Sequence, residues 1–279
     1  MANEKIFYNS GELVEHLKGK AATRKVLYHY TNLGAVLGIL KSGFLRISSL
    51  KCLNDKTEIF YGDRVHRDNT FAFSLAHGTK ENMALWGLYS IPWIEGVRLD
   101  FSTATMSKLL SGSAIYRIPK SGAGDYSEIE NPGGLDISLA QIAYCADDGS
   151  ERVKLRGLQL GEGFDVTNDS QLAGYIKRDA WQYENETRVR VYFDNADSLD
   201  CIAIKIPDEV YETLKITAAP WFKGNLAAIL KHETGRTFAV RQSSFKDLVI
   251  LRDHCYYCAN KPFERQSSDH VYMPPEILV

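Results

Sequence analysis

KVLYHYTNLGAVLGILKSGFLRIS, residues 25–48, is the stretch that decides the fold of this chain. Its first part, Lys25–Tyr30, is rich in β-forming residues, which predicts a strand. From Leu33 the apolar residues recur at i, i+3, i+4 and i+7, which is the period of a helix. Gly43 is placed to end that helix in a left-handed conformation, and a second strand over Phe44–Ser48 follows directly. The segment therefore predicts a strand–helix–strand unit.

Outside this unit the chain is dominated by strands. Because the strands outnumber the long helices and do not alternate regularly with them, the sequence predicts an α+β fold with a mixed, mostly antiparallel sheet flanked by helices. The further strands are predicted over Thr70–Leu75, Gly96–Phe101, Gln141–Cys145, Thr187–Phe193, Cys201–Ile206 and Asp247–Leu251. Helices are predicted over residues 10–20 with Ser10 as the cap, after Thr31 or Asn32, after Thr79, near Asp208 and near Trp221.

Length and composition favour a single domain over residues 1–279. The chain has 44% hydrophobic and 24% charged residues, which is ordinary usage for a globular protein. It contains no clear linker and no internal repeat. We expect the core to span about residues 25–253, and the prolines near the end predict an extended tail over 254–279. A glycine-rich stretch over 121–134 predicts a long loop.

Charge and hydropathy limit the classes of function. The net charge is −2 and the sequence pI is about 6.4, so nothing in the overall charge favours nucleic acid or a membrane surface. No apolar run approaches the roughly 20 residues that a membrane helix needs. The first ten residues, MANEKIFYNS, lack the pattern of a signal peptide. We therefore expect a cytoplasmic protein with no membrane partner.

The cysteines predict reduced thiols and no metal site. The chain has five of them, and Cys255 with Cys258 forms a single CxxC. A structural zinc site needs two further Cys or His ligands at suitable spacing, and the sequence offers no such second pair.

Familiar cofactor motifs are missing, and polar residues gather instead where predicted strands end. The sequence has no GxGxxG, GxxxxGK[ST], HExxH or GxSxG, which argues against Rossmann cofactor binding, P-loop hydrolysis and zinc proteolysis. Tyr28-His29-Tyr30-Thr31 closes a strand before a helix. There a His can donate to a ligand hydroxyl, and the free N–H groups of the helix can bind phosphate. The alternative is a structural His bonded to a neighbouring carbonyl.

A turn and an aromatic stripe are the next two candidates. Asn54-Asp55 forms a polar turn, which is also typical of an ordinary Asx turn. Asn82, Trp86 and Tyr89 are spaced by four and three residues, so they share one face of the predicted helix. Such a stripe either packs in the core or stacks on a planar base, and the spacing does not separate these hypotheses.

Two acids, Glu184 and Glu186, precede the predicted strand Thr187–Phe193. If the segment is extended, both carboxylates share one face. Their mutual repulsion would raise one pKa, as acid–base chemistry requires. The alternative is that both acids are structural and pair with nearby basic residues, namely Lys177, Arg178, Arg188 or Arg190.

In this order the clusters resemble the bacterial domain-of-unknown-function family numbered 2971, over residues 26–251. Lys56 departs from that pattern, because the family has proline at this position. The matching residues are His29-Tyr30, Asn54-Asp55 with Glu58, Phe73-Ser74, Trp86 with Tyr89, Gly96-Val97 with Phe101, and Trp181 with Glu184, Glu186 and Arg188.

The layout of that family is similar to that of ADP-ribosyltransferases, especially the DNA-targeting toxin branch. The resemblance implies a split sheet and NAD as the substrate. It implies that His29 holds the adenine-side ribose and that Tyr89, or Trp86, forms an aromatic wall for the nicotinamide. Glu186 is the implied catalytic acid, with Glu184 as the second candidate. The remaining residues implied to line the pocket are Tyr30, Thr31, Ser48 and Asn54.

The implied reaction transfers ADP-ribose from NAD to a nucleic acid or a protein, in antiviral defence or a toxin system. Cleavage of the nicotinamide bond builds positive charge on the ribose, and a carboxylate beneath the sugar stabilises that charge. An NAD glycohydrolase and a non-catalytic nucleotide sensor are the alternatives. The sensor hypothesis gains if Glu186 points away from His29, and both enzymatic hypotheses lose if the two side chains lie on opposite sides of the sheet.

Overall fold

The structure is a computed structural model that describes residues 5–53, 55, 64–118, 125–146, 153–167, 169–196, 199–247, 250–251 and 277–278. Within these residues the α-helices are α1 (Ser10–Ala22), α2 (Leu33–Ser42), α3 (Arg64–Asp68), α4 (Met83–Tyr89), α5 (Thr103–Leu110), α6 (Asp208–Thr213) and α7 (Leu226–Thr234). The strands are β1 (Ile6–Phe7), β2 (Val26–Asn32), β3 (Phe44–Ser49), β4 (Thr70–Ala76), β5 (Gly96–Ser102), β6 (Ile115–Arg117), β7 (Ser127–Glu128), β8 (Asp136–Gln141), β9 (Ala143–Ala146), β10 (Lys154–Leu155), β11 (Gln159–Leu160), β12 (Ile176–Arg178), β13 (Glu186–Tyr192), β14 (Cys201–Lys205), β15 (Lys215–Ala218), β16 (Ala239–Gln242), β17 (Ile250–Leu251) and β18 (Ile277–Leu278).

The strand–helix–strand unit predicted from residues 25–48 is confirmed as β2, α2 and β3. The Asn32 side chain caps α2 by accepting a hydrogen bond from the Ala35 N–H at 2.9 Å. Gly43 ends the helix with φ of 73°, a conformation that only glycine adopts without steric cost. The short turn at Gly43 leads at once into β3, so α2 lies beside the two strands that it joins.

The largest sheet divides along strand β4. β13 pairs with β4 over its whole length, from Thr70 to Ala76. The opposite edge of β4 is shared by two strands, because β3 pairs with it at Ser48–Ala72 and β2 meets it only at Tyr28–Ala76. Between these two points β2 and β3 diverge and leave a gap. The sheet order is β16-β15-β5-β2-β4-β3-β14-β6-β7, with β13 and β8 joined to it through β4.

The pairing confirms a mixed, mostly antiparallel sheet in an α+β protein. In the large sheet β15 and β16 are parallel, and the other pairs are antiparallel. The main hydrophobic core packs α2, α5, α6 and α7 against one face of this sheet. A second cluster packs α1 against β8 and β9, and a third surrounds Trp86 of α4. Among the described residues, none of the helices has the length and apolar character needed to cross a membrane.

Some predicted boundaries are wrong. The strand predicted over Gln141–Cys145 is interrupted at Ile142, because β8 pairs with β13 whereas β9 pairs with β10 and β12. The helix predicted after Thr79 is capped by Asn82, whose side chain accepts from two backbone N–H groups. The helix predicted near Trp221 begins only at Leu226, since Trp221 is buried in the cluster around Trp86. The predictions that lie outside the described residues concern Asn54, Lys56, Glu58, residues 121–124, and the tail with Cys255 and Cys258.

Candidate functional site

A cavity of about 610 Å³ occupies the gap where β2 and β3 diverge. This volume lies within the roughly 300–1,000 Å³ of small-molecule sites. Helix α2 contributes to one side of the cavity, and α4 with the 3-10 helix Asp179–Glu184 contributes to another. The sheet residues that line it are Tyr28, His29, Tyr30, Arg46, Ser48, Ala72, Phe73, Ser74, Leu75, Ala76, Glu186 and Arg188.

At the gap, the His29 side chain hydrogen-bonds to the β4 backbone, as a neighbouring strand would do elsewhere in the sheet. Its Nδ1 lies 3.0 Å from the Ser74 carbonyl oxygen of β4, and its ring packs 4.3 Å from that of Phe73. Burial lowers the pKa of His29, although the bond to Ser74 opposes this effect. A carbonyl only accepts, so the neutral ring carries its proton on Nδ1 and leaves Nε2 as an acceptor. His29 would therefore accept a hydrogen bond from a ligand hydroxyl, contrary to the predicted donation.

His29 and Glu186 reach this cavity from opposite faces of their strands. Tyr28 is paired with Ala76, and Ala76 is paired with Glu186. Because paired residues share a face and neighbours along a strand alternate, Glu186 lies on the Tyr28 face and His29 on the other. Both residues nevertheless line one cavity, which lies at the gap between β2 and β3.

Glu186 is a buried carboxylate held by two cations. Arg188 donates from Nε to Oε1 at 2.6 Å and from Nη2 to Oε2 at 3.1 Å. Lys177 Nζ donates to the same Oε2 at 3.1 Å. Burial alone would raise the pKa of Glu186, but Arg188 and Lys177 outweigh it and lower the pKa to about 2. Glu186, which is 1% exposed, is therefore a fixed negative charge at neutral pH.

Glu184 has the opposite electrostatic character. Burial raises its pKa and the charge of Glu186 adds to this, while Lys177 and Tyr89 oppose it. Lys177 Nζ donates to Oε2 at 2.6 Å, and the Tyr89 hydroxyl donates to Oε1. Burial and the neighbouring Glu184 also raise the pKa of Tyr89, so this hydroxyl keeps its proton. Glu184 is thus the more easily protonated of two adjacent acids.

The two acids meet through a turn and not through an extended strand. Glu184 ends the 3-10 helix, Asn185 has φ of 45° and ψ of 57°, and Glu186 begins β13. The segment is therefore not extended, and the two acids do not meet by strand alternation. Lys177, on the separate strand β12, forms a salt bridge with each of the two carboxylates and so holds them close together. Asn is one of the few residues besides glycine that tolerate this left-handed conformation.

Six residues predicted for the site line the cavity, and two do not. Trp86 is fully buried, with its Nε1 donating to Glu81 at 3.0 Å and its ring 4.8 Å from that of Tyr30. It is core packing and not a wall of the cavity. Thr31 is also buried and does not line the cavity. The predicted residues that line it are His29, Tyr30, Ser48, Tyr89, Glu184 and Glu186.

Sequence reasoning placed four further lining residues outside the predicted site. Lys177 and Arg188 entered it only as structural partners of the acids, which they are. Trp181 lies 4.8 Å from Lys177 Nζ and supplies an aromatic surface that Trp86 was expected to give. Arg46 could have been found, because it lies two residues before Ser48 and strand alternation puts both on one face.

A scan against models of known protein families, a search of curated proteins and a search of solved structures each gave no match to this chain. In the part of the chain that the structure describes, no group of three or more His, Cys, Asp or Glu residues is placed to hold a metal ion.

Proposed function

We propose that this cavity binds NAD and that the protein is an ADP-ribosyltransferase. One observation carries the proposal: two adjacent carboxylates, Glu184 and Glu186, have opposite pKa shifts in a cavity that also contains His29. Paired acids whose environments separate their pKa values are typical of enzymes that cleave glycosidic bonds. The resemblance to the family numbered 2971, and through it to ADP-ribosyltransferases, supports the same reaction.

The cavity offers complementary groups for the two ends of the substrate. His29 Nε2 accepts from a hydroxyl of the adenine-side ribose. Tyr89 and Trp181 present aromatic surfaces on which the nicotinamide ring stacks. This arrangement puts the nicotinamide ribose at Glu186.

The chemistry then divides between the two acids. The bond between the ribose C1′ and the nicotinamide nitrogen breaks, and its electron pair leaves with nicotinamide. The ionised Glu186 stabilises the positive charge that develops on the sugar. The acceptor bonds to C1′ and gives its proton to Glu184, whose raised pKa makes it the better base of the pair. The acceptor is a nucleic acid or a protein.

A non-catalytic NAD sensor is the second candidate, and two observations favour it. His29 and Glu186 reach the cavity from opposite faces of their strands, which is the arrangement expected of the sensor. Both oxygens of Glu184 and both oxygens of Glu186 already accept hydrogen bonds from Tyr89, Lys177 or Arg188. Lys177 and Tyr89 stabilise the ionised form of Glu184 and so make it a weaker base. In the sensor the network stays closed and NAD binds without reaction.

Nicotinamide release from NAD tests the proposal. The wild type should release nicotinamide with single-stranded DNA, RNA or a protein mixture as acceptor, and Glu186→Gln should be slower by about 100-fold or more. Glu212→Gln, a control at an exposed acid outside the cavity, should match the wild type. His29→Ala should lose NAD affinity, because the ribose loses its hydrogen-bond partner.

The possible outcomes separate the hypotheses. Release without any acceptor would identify an NAD glycohydrolase. NAD binding with no release under any condition would identify the sensor. No measurable NAD binding by calorimetry would overturn the proposal in all its forms.

Tyr89→Phe gives a second test that leaves both carboxylates in place. It removes a hydrogen bond that lowers the pKa of Glu184, so the pKa of this acid should rise further. If Glu184 is the base, the pH at which nicotinamide release reaches half its maximum should shift upward. An unshifted pH profile with intact folding, checked by circular dichroism, would remove Glu184 from the reaction.

A further inference from the structure

The charged residues of the cavity form two unlike groups. At one end Lys177 and Arg188 are paired with Glu184 and Glu186, and all four are buried. Arg46 lines the cavity on strand β3 and is exposed. Within the described part of the chain no carboxylate is paired with Arg46. Among the described residues that line the cavity, Arg46 is therefore a cation without a carboxylate partner.

Strand geometry aims Arg46 and Ser48 at the same space. Leu45 and Ile47 of β3 are fully buried in the main core, so the residues between and after them face the other way. Ser48 pairs with Ala72 of β4. Continuing that antiparallel register puts Arg46 level with Ser74, whose carbonyl holds His29. Within the described residues, the Ser48 hydroxyl has no hydrogen-bond partner either.

The cavity also extends to α2, which packs against the opposite face of the sheet. Gly34 and Gly38 of α2 both line the cavity. A Cβ atom at Gly38 would meet nothing within 4 Å, so the helix presents open space there. Asp55 is the other charged residue of this end, but it is buried and already engaged in another interaction.

We propose that Arg46 and Ser48 form the subsite for the pyrophosphate of a dinucleotide. A planar guanidinium suits phosphate oxygens because it donates two parallel hydrogen bonds, and a hydroxyl adds a third donor. The subsite lies next to Ser74 and so beside the sugar that His29 holds. This inference rests on the proposed NAD binding for its choice of ligand, but it requires no turnover.

The binding of ADP-ribose and inorganic pyrophosphate by calorimetry tests the subsite. The wild type should bind ADP-ribose, and Arg46→Gln should bind it at least about tenfold more weakly. Ser48→Ala should show a smaller loss. Arg241→Gln, at another exposed strand arginine outside the cavity, should bind like the wild type. Nicotinamide riboside, which lacks the pyrophosphate, should be insensitive to Arg46→Gln.

Each outcome bears on the subsite separately from the reaction. Equal ADP-ribose affinity of Arg46→Gln and the wild type would overturn it, as would wild-type protein that binds neither ADP-ribose nor pyrophosphate. If Arg46→Gln weakened only the binding of a single-stranded oligonucleotide, the phosphate would belong to a nucleic acid and the proposal would be wrong. Tight, Arg46-dependent ADP-ribose binding without nicotinamide release would support the subsite while the transferase proposal fails.

Discussion

The two ends of the cavity differ in how their charges are balanced. At the acid end every charge is paired inside the protein, with Glu186 between Arg188 and Lys177. At the other end Arg46 is exposed and unbalanced by any carboxylate that the structure describes. The acid end is therefore fixed by folding, whereas we expect a bound ligand to balance the charge at the Arg46 end.

This difference matters because buried and exposed charges have different energies. A charge removed from water costs several kcal/mol unless it is paired, so the acid end can persist only as a complete network. An exposed arginine stays hydrated, so leaving its charge unpaired costs little free energy. The comparison leads to three predictions, given from the largest expected effect to the smallest.

Removing an arginine from each end should give very different stabilities. Arg188→Met removes one of the two cations that hold the buried Glu186 and leaves Lys177 as the other, so the free energy of unfolding should fall by about 3–5 kcal/mol. Arg46→Met should change it by less than about 0.5 kcal/mol. Urea unfolding at neutral pH measures both. Similar losses for the two variants would contradict the comparison.

Acid should destabilise the protein through Glu186. Its pKa is lowered from 4.5 to about 2 in the folded state, so the folded state is favoured when the carboxyl is ionised. This contribution is fully present above the unfolded pKa and is lost as the pH falls from about 4.5 through 2. It amounts to at most about 3 kcal/mol, and the raised pKa of Glu184 offsets part of it.

Urea unfolding at several pH values tests this dependence. Glu186→Gln should lose less stability than the wild type as the pH falls, and Glu212→Gln should follow the wild type. Parallel curves for the wild type and Glu186→Gln would show that Glu186 does not titrate as the structure requires.

A ligand should cover the open end of the cavity. Cys52 is exposed and lines the cavity, whereas Cys145 is buried. Saturating ADP-ribose should slow the alkylation of Cys52 severalfold, and Cys145 should stay unreactive with or without ligand. Peptide-resolved mass spectrometry after timed exposure to iodoacetamide measures each site. Unchanged labelling of Cys52 in the presence of bound ligand would place the ligand elsewhere.

Local signals explain why much of the fold was predictable. The helical period from Leu33, the cap at Asn32 and the turn at Gly43 are all properties of neighbouring residues, and they are confirmed. His29 and the two acids were also found, because polar residues at strand ends are visible in the sequence. The strand over Gln141–Cys145 was predicted wrongly because its two halves pair with different partners, which no local pattern encodes.

The candidate site was harder to predict, because contacts distant in the chain define it. Trp86 and Tyr89 share a helix and both carry aromatic rings. Burial against Tyr30 and Glu81 makes Trp86 core, whereas Tyr89 reaches Glu184 across the cavity. Because Trp86 and Tyr89 lie on the same helical face, their spacing along the chain predicts the same environment for both and cannot distinguish the core from the cavity.

The sequence by itself determined the strand–helix–strand unit, the mostly antiparallel α+β class and the presence of polar residues at strand ends, since each follows from propensity and periodicity within a short window. Only the tertiary structure decided that β2 and β3 diverge along β4, that His29 fills the gap and that Lys177 draws Glu184 and Glu186 together. These features depend on which distant strands pair and on which charges share a dry environment. Strand pairing and burial are properties of the packed chain, and the sequence next to these residues does not encode either property.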